Sequence, residues 1–96
     1  MPVADQLHER RDAILRLAAR HGAGNVAVFG SVVRGEETAG SDVDLLVDVI
    51  GEPSPWFPGG LVADLEELLG RPVQVVIRRS LSSLIRESVL TESTPL

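Results

Sequence analysis

The chain has 96 residues, of which 44% are hydrophobic and 24% are charged, and this predicts a single globular domain over residues 1–96. A net charge of −5 argues against a protein that binds nucleic acid by neutralising its phosphates, and suits an acidic protein that meets a basic partner. With no cysteine and only two histidines, disulfides and thiolate metal sites are excluded and a zinc site is disfavoured.

Residues 3–20 are predicted to form one amphipathic helix, because Leu7, Ile14 and Leu17 recur at helical spacing. Residues 1–11 are charged and lack the apolar core of a signal peptide, and no stretch is long and apolar enough to span a membrane. We therefore expect a cytoplasmic protein that does not contact membranes. The helix should end at His21, which we interpret as a residue that favours the helix dipole rather than as a catalytic base.

Residues 25–29 form the first predicted strand, and their nearly continuous apolar character suggests that both faces are covered. A sharp turn follows at Gly30-Ser31. Backbone N–H groups at the start of the next helical turn are favourable donors to phosphate oxygens, so Gly30 and Ser31 are candidate nucleotide-binding residues. Residues 32–41 should begin as a short helix and finish as a loop.

The second predicted strand, residues 42–50, carries a pair of aspartates on one face. Asp42 and Asp44 are two positions apart, so their side chains project together, roughly 7 Å apart along the strand. Two carboxylates this close repel each other, and a fold keeps them when a cation lies between them. Asp48 shares the face but lies about 13 Å beyond Asp44, so we interpret it as a strand-end surface residue. Phosphates at the turn and Mg²⁺ at Asp42 and Asp44 predict metal-assisted transfer from a nucleoside triphosphate.

Residues 51–60 are predicted to form a loop, because three prolines and three glycines in ten positions sustain neither a helix nor a strand. Trp56 and Phe57 in this loop are two of the three aromatic residues of the chain. They have three interpretations: packing back onto the core, a docking anchor for a partner protein, or stacking on a nucleotide base.

The remaining elements are a helix over residues 61–69, a third strand over residues 73–77, and a last helix that begins at Ser80 as N-cap and runs to Val89. The tail over residues 91–96 should fray. The predicted order is αβ(α)βαβα. The expected fold class is therefore α/β, with a three-stranded mixed sheet and helices packed mainly on one face.

The motif at the turn and the aspartates resembles a known family. Gly30-Ser31, ten residues and then Asp42-Val43-Asp44 has the spacing of the polymerase-beta-type nucleotidyltransferases, and Arg34-Gly35-Glu36 and Ser41 add to the likeness. The chain is most similar to the minimal nucleotidyltransferases, which act as antitoxins beside HEPN-domain toxins, and the resemblance covers nearly the whole chain. It implies a small polymerase-beta-like α/β core.

The resemblance also implies roles for individual residues. Gly30 and Ser31 would hold the phosphates of ATP, and Asp42 and Asp44 would hold Mg²⁺ as the catalytic and metal-binding pair. Arg34 would bind the nucleotide and offset developing charge, or would instead form a salt bridge with the neighbouring Glu36 or Glu37. The implied reaction moves AMP from ATP to a hydroxyl, that of a tyrosine, on a cognate HEPN ribonuclease toxin, with no direct contact to nucleic acid.

Gln74 departs from the family pattern. The resemblance expects a third carboxylate at this position of the third strand, and an amide is neither a base at pH 7 nor a good Mg²⁺ ligand. An alternative function follows: a catalytically weakened member that neutralises its toxin by binding alone. Transfer to RNA or to a small antibiotic is a third hypothesis, but enzymes of that kind carry an additional substrate domain.

Overall fold

The computed structural model describes residues 3–36 and 41–96 of the chain, which form both helices and strands. In chain order the elements are α1 (Val3–Glu9), α2 (Arg11–Arg20), β1 (Ala23–Phe29), α3 (Ser31–Arg34), β2 (Val43–Val49), α4 (Gly59–Leu69), β3 (Val73–Ile77), a 3₁₀ helix (Arg78–Ser80), α5 (Arg86–Glu92) and β4 (Thr94–Pro95). The elements β1, β2, α4 and β3 therefore lie within about two residues of their predicted bounds.

The described strands form one mixed sheet with the order β3-β2-β1-β4. Strand β2 pairs with β1 in the antiparallel sense and with β3 in the parallel sense. The predicted α/β class is confirmed, but the sheet has four strands rather than three. The fourth comes from the tail that was expected to fray: Thr94 and Pro95 pair with Val28 and Ala27, and the Leu96 N–H donates to the Val26 carbonyl oxygen at 3.0 Å.

One face of the sheet carries the main core, which α1, α2 and α4 cover. Ile14 of α2, Leu45 of β2, and Leu61 and Leu65 of α4 are completely or almost completely buried in it. A buried side chain of this size contributes about 1.5–3 kcal/mol to the stability of the fold. The apolar positions predicted from helical and strand periodicity therefore form the side of the sheet on which most helices pack.

The opposite face carries a smaller apolar cluster, and this face positions the aspartates. Ala27, Leu46 and Leu81 are buried there, and Val89 of α5 packs against them. Because side chains alternate along a strand, Asp44 points to the same face as Leu46, whereas its neighbours in β2 point into the main core. Asp44 is thereby turned to the side of the sheet that α5 partly covers.

Two helix predictions were wrong in detail. The predicted helix over residues 3–20 is divided at Arg10, whose φ of −95° and ψ of 9° depart from helical geometry, although backbone hydrogen bonds continue on both sides of it. The predicted last helix does not begin at Ser80, because the chain first forms the 3₁₀ helix and buries Leu81 in the smaller cluster. Helix α5 starts only at Arg86. Among the described residues, no helix has both the length and the apolar character needed to cross a membrane.

Candidate active site

The turn after β1 is built on Gly30. Its φ of 80° and ψ of −150° form a backbone conformation in which residues other than glycine are strained. A Cβ at this position would also collide with Oδ2 of Asp44. The N–H groups of Val33 and Arg34 donate to the Gly30 carbonyl oxygen and continue the chain into α3. Gly30 therefore brings the backbone of the predicted phosphate-binding turn directly against one of the two aspartates.

The two aspartates lie at the start of β2. Asp42 precedes the strand and is exposed, whereas Asp44 lies within the strand and is half-buried. The register of the sheet places Asp44 beside Phe29 of β1 on one side and beside Gln74 of β3 on the other. The structure thus brings Gly30, Asp42 and Asp44 together at one end of the sheet.

The surroundings of Asp44 oppose its negative charge. Burial raises the pKa of Asp44 above its usual value, the Asp42 carboxylate raises it further, and Arg34 partly offsets both effects. A divalent cation beside the two carboxylates would relieve this repulsion, and Mg²⁺ prefers oxygen ligands of this kind. Within the described part of the chain, no group of three or more histidine, cysteine, aspartate or glutamate side chains has the arrangement of a metal site. Asp42 and Asp44 would supply two oxygen ligands to such an ion.

Arg34 lies beside the same turn and forms ion pairs with Glu36 and, at 2.6 Å, with Glu92. The hydrogen bond to Glu36 raises the pKa of Arg34 most, and the negative charge of Glu92 raises it further, so the guanidinium stays charged. The predicted salt bridge to Glu36 is therefore present, while Glu37 lies outside the described residues. Glu92 also accepts a hydrogen bond of 2.8 Å from the Gly30 N–H. Glu92 could not be predicted from the sequence, because 62 positions separate it from Gly30 and no local pattern links the two.

Gln74 lies on β3 beside the aspartates. Val73 and Val75 on either side of it are buried, whereas Gln74 is exposed, so its side chain is directed away from the main core. Its Cα is paired with that of Asp44 across the two parallel strands, which puts both side chains on the same face. The position at which the resemblance expects a third carboxylate is thus adjacent to Asp44, and a neutral amide fills it.

Comparison with known proteins identifies the family. Residues 10–96 match the nucleotidyltransferase domain family. The chain belongs to this nucleotidyltransferase family. It is 46% identical over 76 residues to MntA, a protein adenylyltransferase of Thermococcus cleftensis, an alignment covering 79% of this chain and 77% of the relative. A provisionally assigned protein adenylyltransferase of Methanocaldococcus jannaschii is 31% identical over 87 residues, which are 91% of this chain and 94% of that protein.

Solved structures of similar proteins agree with the assignment of this chain to the nucleotidyltransferase family. A structure provisionally assigned to a minimal nucleotidyltransferase is 47% identical, with a TM-score of 0.82, and the match covers 96% of this chain and 94% of that one. A mutant of the MntA–HpeT toxin–antitoxin pair is 25% identical, with a TM-score of 0.71, over 90% of this chain and 70% of that one. The predicted membership of the minimal nucleotidyltransferases is confirmed.

Two further side chains considered from the sequence, His21 and Asp48, form their contacts outside the candidate site. His21 lies at the end of α2, where its Nδ1 is 2.6 Å from Ser54 Oγ and its Nε2 is 2.7 Å from Asp64 Oδ2. These contacts join α2 to α4 and to the loop before α4. The Asp48 carboxylate accepts a hydrogen bond of 2.7 Å from Asn25 and forms an ion pair of 2.6 Å with Arg78. Both side chains therefore have structural contacts.

The aromatic pair of the nucleotidyltransferase divides between core and solvent. Phe57 is half-buried and packs against the main core. Trp56 is 90% exposed, and its φ of 66° is unusual for a residue with a side chain. The hypothesis that the pair packs onto the core is therefore correct for Phe57 and wrong for Trp56.

Proposed function

We propose that this nucleotidyltransferase moves AMP from ATP to a hydroxyl group of a partner toxin protein, and thereby acts as an antitoxin. The observation that carries the proposal is the junction of Gly30 with Asp44, because it joins a phosphate-binding backbone to a pair of carboxylates. Two relatives add support. The 46%-identical relative is a protein adenylyltransferase, and the 25%-identical structure is that of a toxin–antitoxin pair.

The proposed transfer forms one bond and breaks one. The acceptor oxygen bonds to the α-phosphorus of ATP, the bond from that phosphorus to the oxygen that bridges it to the β-phosphorus breaks, and pyrophosphate leaves. The hydroxyl proton passes to solvent. Gly30 and Ser31 would bind and orient the phosphates through backbone N–H groups, and Arg34 would offset their charge. Asp42 and Asp44 would hold Mg²⁺, which when bound neutralises phosphate charge.

The acceptor that we propose is a tyrosine hydroxyl on a HEPN-family ribonuclease toxin in the cytoplasm. This part of the proposal rests on the resemblance of the Gly-Ser and Asp-Val-Asp motif to minimal nucleotidyltransferases. An acidic chain with a net charge of −5 suits a basic partner of this kind, because opposite charge speeds and orients association.

Gln74 favours a second candidate function, a weakened enzyme that neutralises its toxin by binding alone. Two carboxylates are enough to hold a magnesium–triphosphate complex, but an exposed amide beside Asp44 cannot deprotonate the attacking hydroxyl. Loss of a general base typically lowers a rate by about 10²–10⁴-fold. Nucleotide binding would then persist while turnover is slow.

Titration calorimetry with ATP and Mg²⁺ tests nucleotide binding. The double variant Asp42→Asn plus Asp44→Asn should lose magnesium-dependent ATP binding. Its melting temperature should be unchanged or slightly higher, because the repulsion between the two carboxylates disappears. Asp48→Asn is the matched control, since it removes a carboxylate from the same strand whose contacts lie elsewhere. Unchanged ATP affinity in the double variant would remove the metal site from the proposal.

Transfer of label from α-labelled ATP to the purified toxin tests turnover and separates the two candidate functions. If the site is weakened by Gln74, Gln74→Asp should raise the rate about tenfold or more, within the usual contribution of an acid–base group. Gln74→Glu is the companion variant, because it supplies a carboxylate at the original side-chain length. Robust wild-type transfer that falls in Gln74→Asp would contradict the weakened enzyme and favour an active, altered site.

A further inference from the structure

One oxygen atom of Glu92 accepts hydrogen bonds from two donors at the turn. Oε1 of Glu92 accepts the Gly30 N–H at 2.8 Å and the Arg34 guanidinium at 2.6 Å. The Glu92 carboxylate also places a further negative charge near Asp44, which already faces that of Asp42. The Glu92 carboxylate therefore occupies two of the donors assigned to the phosphates in the proposed function, the Gly30 N–H and the Arg34 guanidinium.

Carboxylate and phosphate oxygens bind the same kinds of hydrogen-bond donor. Both are anionic acceptors that form short, charge-assisted hydrogen bonds with backbone N–H groups and guanidinium groups. The Gly30 N–H has one hydrogen, so it cannot form full hydrogen bonds to Glu92 and to a phosphate at the same time. The two anions also repel each other. Binding of a phosphate to the Gly30 N–H thus requires that Glu92 withdraw from it.

We propose that Glu92 competes with the phosphates of the nucleotide for the Gly30 N–H and Arg34, and so lowers the affinity of the free protein for ATP. This inference rests on the proposed function, because it assumes that the phosphates bind at this turn. It assigns to Glu92 a role in setting nucleotide affinity that is distinct from metal binding by Asp42 and Asp44.

The position of Glu92 allows it to withdraw. It is the last residue of α5, a helix of seven residues none of which is buried, and its own side chain is 24% exposed. The pairing of β4 with β1 holds the backbone just beyond it. The Glu92 side chain can therefore rotate into solvent without disturbing either apolar cluster.

The competition has a measurable size. When the binding-competent form is only a fraction of the molecules, the apparent dissociation constant rises by the inverse of that fraction. If Glu92 occupies its donors in about nine molecules of ten, its removal tightens nucleotide binding about tenfold. A residue that instead helped to position Arg34 for the phosphates would have the opposite effect.

The decisive experiment is calorimetric titration of the full chain with Mg²⁺ and a non-hydrolysable ATP analogue. Glu92→Gln keeps the shape of the side chain without its charge, and Glu92→Ala removes the acceptor. Glu92→Ala should bind the analogue about tenfold more tightly than the wild type, and Glu92→Gln should also bind it more tightly, because a neutral amide competes less strongly for the donors. Glu87→Gln is the matched control, because it removes one negative charge from an exposed position of the same helix and should leave affinity unchanged.

A measurement on the wild-type chain keeps the test independent of the variants' folding. In NMR spectra, the Gly30 amide and the Glu92 side-chain carboxyl carbon should both shift when the analogue and Mg²⁺ are added, and the carboxyl should move toward its solvent-exposed value. Three results would overturn this inference and leave the proposed function standing. They are equal affinity in wild type and both Glu92 variants, weaker binding in the variants, and a Glu92 carboxyl signal that does not move at saturation. Absence of binding in every variant and in wild type would overturn the proposed function and this inference together.

Discussion

Gly30 combines two requirements that no other residue type meets. Its backbone has a positive φ with an extended ψ, a region that is essentially restricted to glycine, and its missing side chain leaves room for the Asp44 carboxylate. The glycine of the Gly-Ser motif is thus needed for the shape of the turn and for the close approach of the Asp44 carboxylate.

Gly30→Ala is expected to destabilise the protein by roughly 1–3 kcal/mol from backbone strain, with a further loss from the collision with Asp44. Gly70→Ala is the matched control. Gly70 also has a positive φ, of 68°, but apart from its chain neighbours and its own helix no described atom lies within 4 Å of a Cβ placed there. Chemical denaturation of both variants measures the difference. Since Gly70 lies in the ordinary left-handed region, an equal loss in the two would contradict both the extra backbone strain expected at Gly30 and the collision with Asp44.

The loop between β2 and α4 exposes a large apolar side chain, that of Trp56, to solvent. Trp56→Ala should weaken binding to the proposed toxin partner by about 2 kcal/mol or more, because exposed tryptophan is a frequent interface hot spot. Its melting temperature should hardly change, since the side chain is 90% exposed. Surface plasmon resonance and a thermal melt provide the two readouts.

Leu84→Ala is the control for that loop prediction, because Leu84 is 92% exposed and lies in the segment before α5. A Trp56→Ala variant that binds the toxin like wild type would remove the docking anchor and leave base stacking as the remaining hypothesis for this residue.

The junction of β1, β2 and the 3₁₀ helix depends on Asp48. A hydrogen bond from Asn25 and then the Arg78 guanidinium lower the pKa of Asp48 below its usual value. A lowered carboxyl pKa adds stability above the unfolded-state value of about 3.9, and that stability is lost as pH falls through the folded-state value. Asp48→Asn should therefore melt lower than wild type near pH 7, and the difference should shrink at pH 3. Glu67→Gln, an exposed carboxylate of α4, is the control; a difference that grew in acid would contradict the assigned sign.

The elements differ in how well the sequence predicts them. Strands β1, β2 and β3 were predictable because apolar residues at strand spacing are flanked by glycine and proline turns. Strand β4 was not, because it has two residues, one of them proline, and forms only against an existing edge of β1. The start of α5 was mispredicted because burial of Leu81 outweighs the capping preference of Ser80.

The part of the candidate site that lies in one short sequence motif was predictable, and the part contributed by distant residues was not. Asp42 and Asp44 are two positions apart on one strand, so strand geometry alone puts them on one face, whereas Gly30 reaches them through the pairing of β1 with β2. The contact of Glu92 with Gly30 depends on the path of the chain through β4 and α5, and that path follows from tertiary packing. The exposure of Trp56 likewise depends on how the loop lies against α4.

For the whole molecule, the net charge of −5 predicts how it meets its partner. If the toxin surface is basic, the association rate should fall at least about tenfold as ionic strength rises from low to high, while the dissociation rate changes less. Stopped-flow or surface plasmon resonance over a salt series measures both rates. An association rate independent of salt would point to a neutral or acidic partner surface.

The contacts of His21 with Ser54 and Asp64 have a consequence for the loop that carries Trp56. They fasten the start of that loop to the end of α2 and to α4, and the Ser54 N–H adds a bond of 3.2 Å to the His21 carbonyl oxygen. Immobilising a flexible side chain at an interface costs about 0.5–1.5 kcal/mol, and ordering its backbone adds to that cost. A partner that binds Trp56 would meet a loop whose conformational entropy has already been lost during folding, so more of the contact energy would remain as affinity.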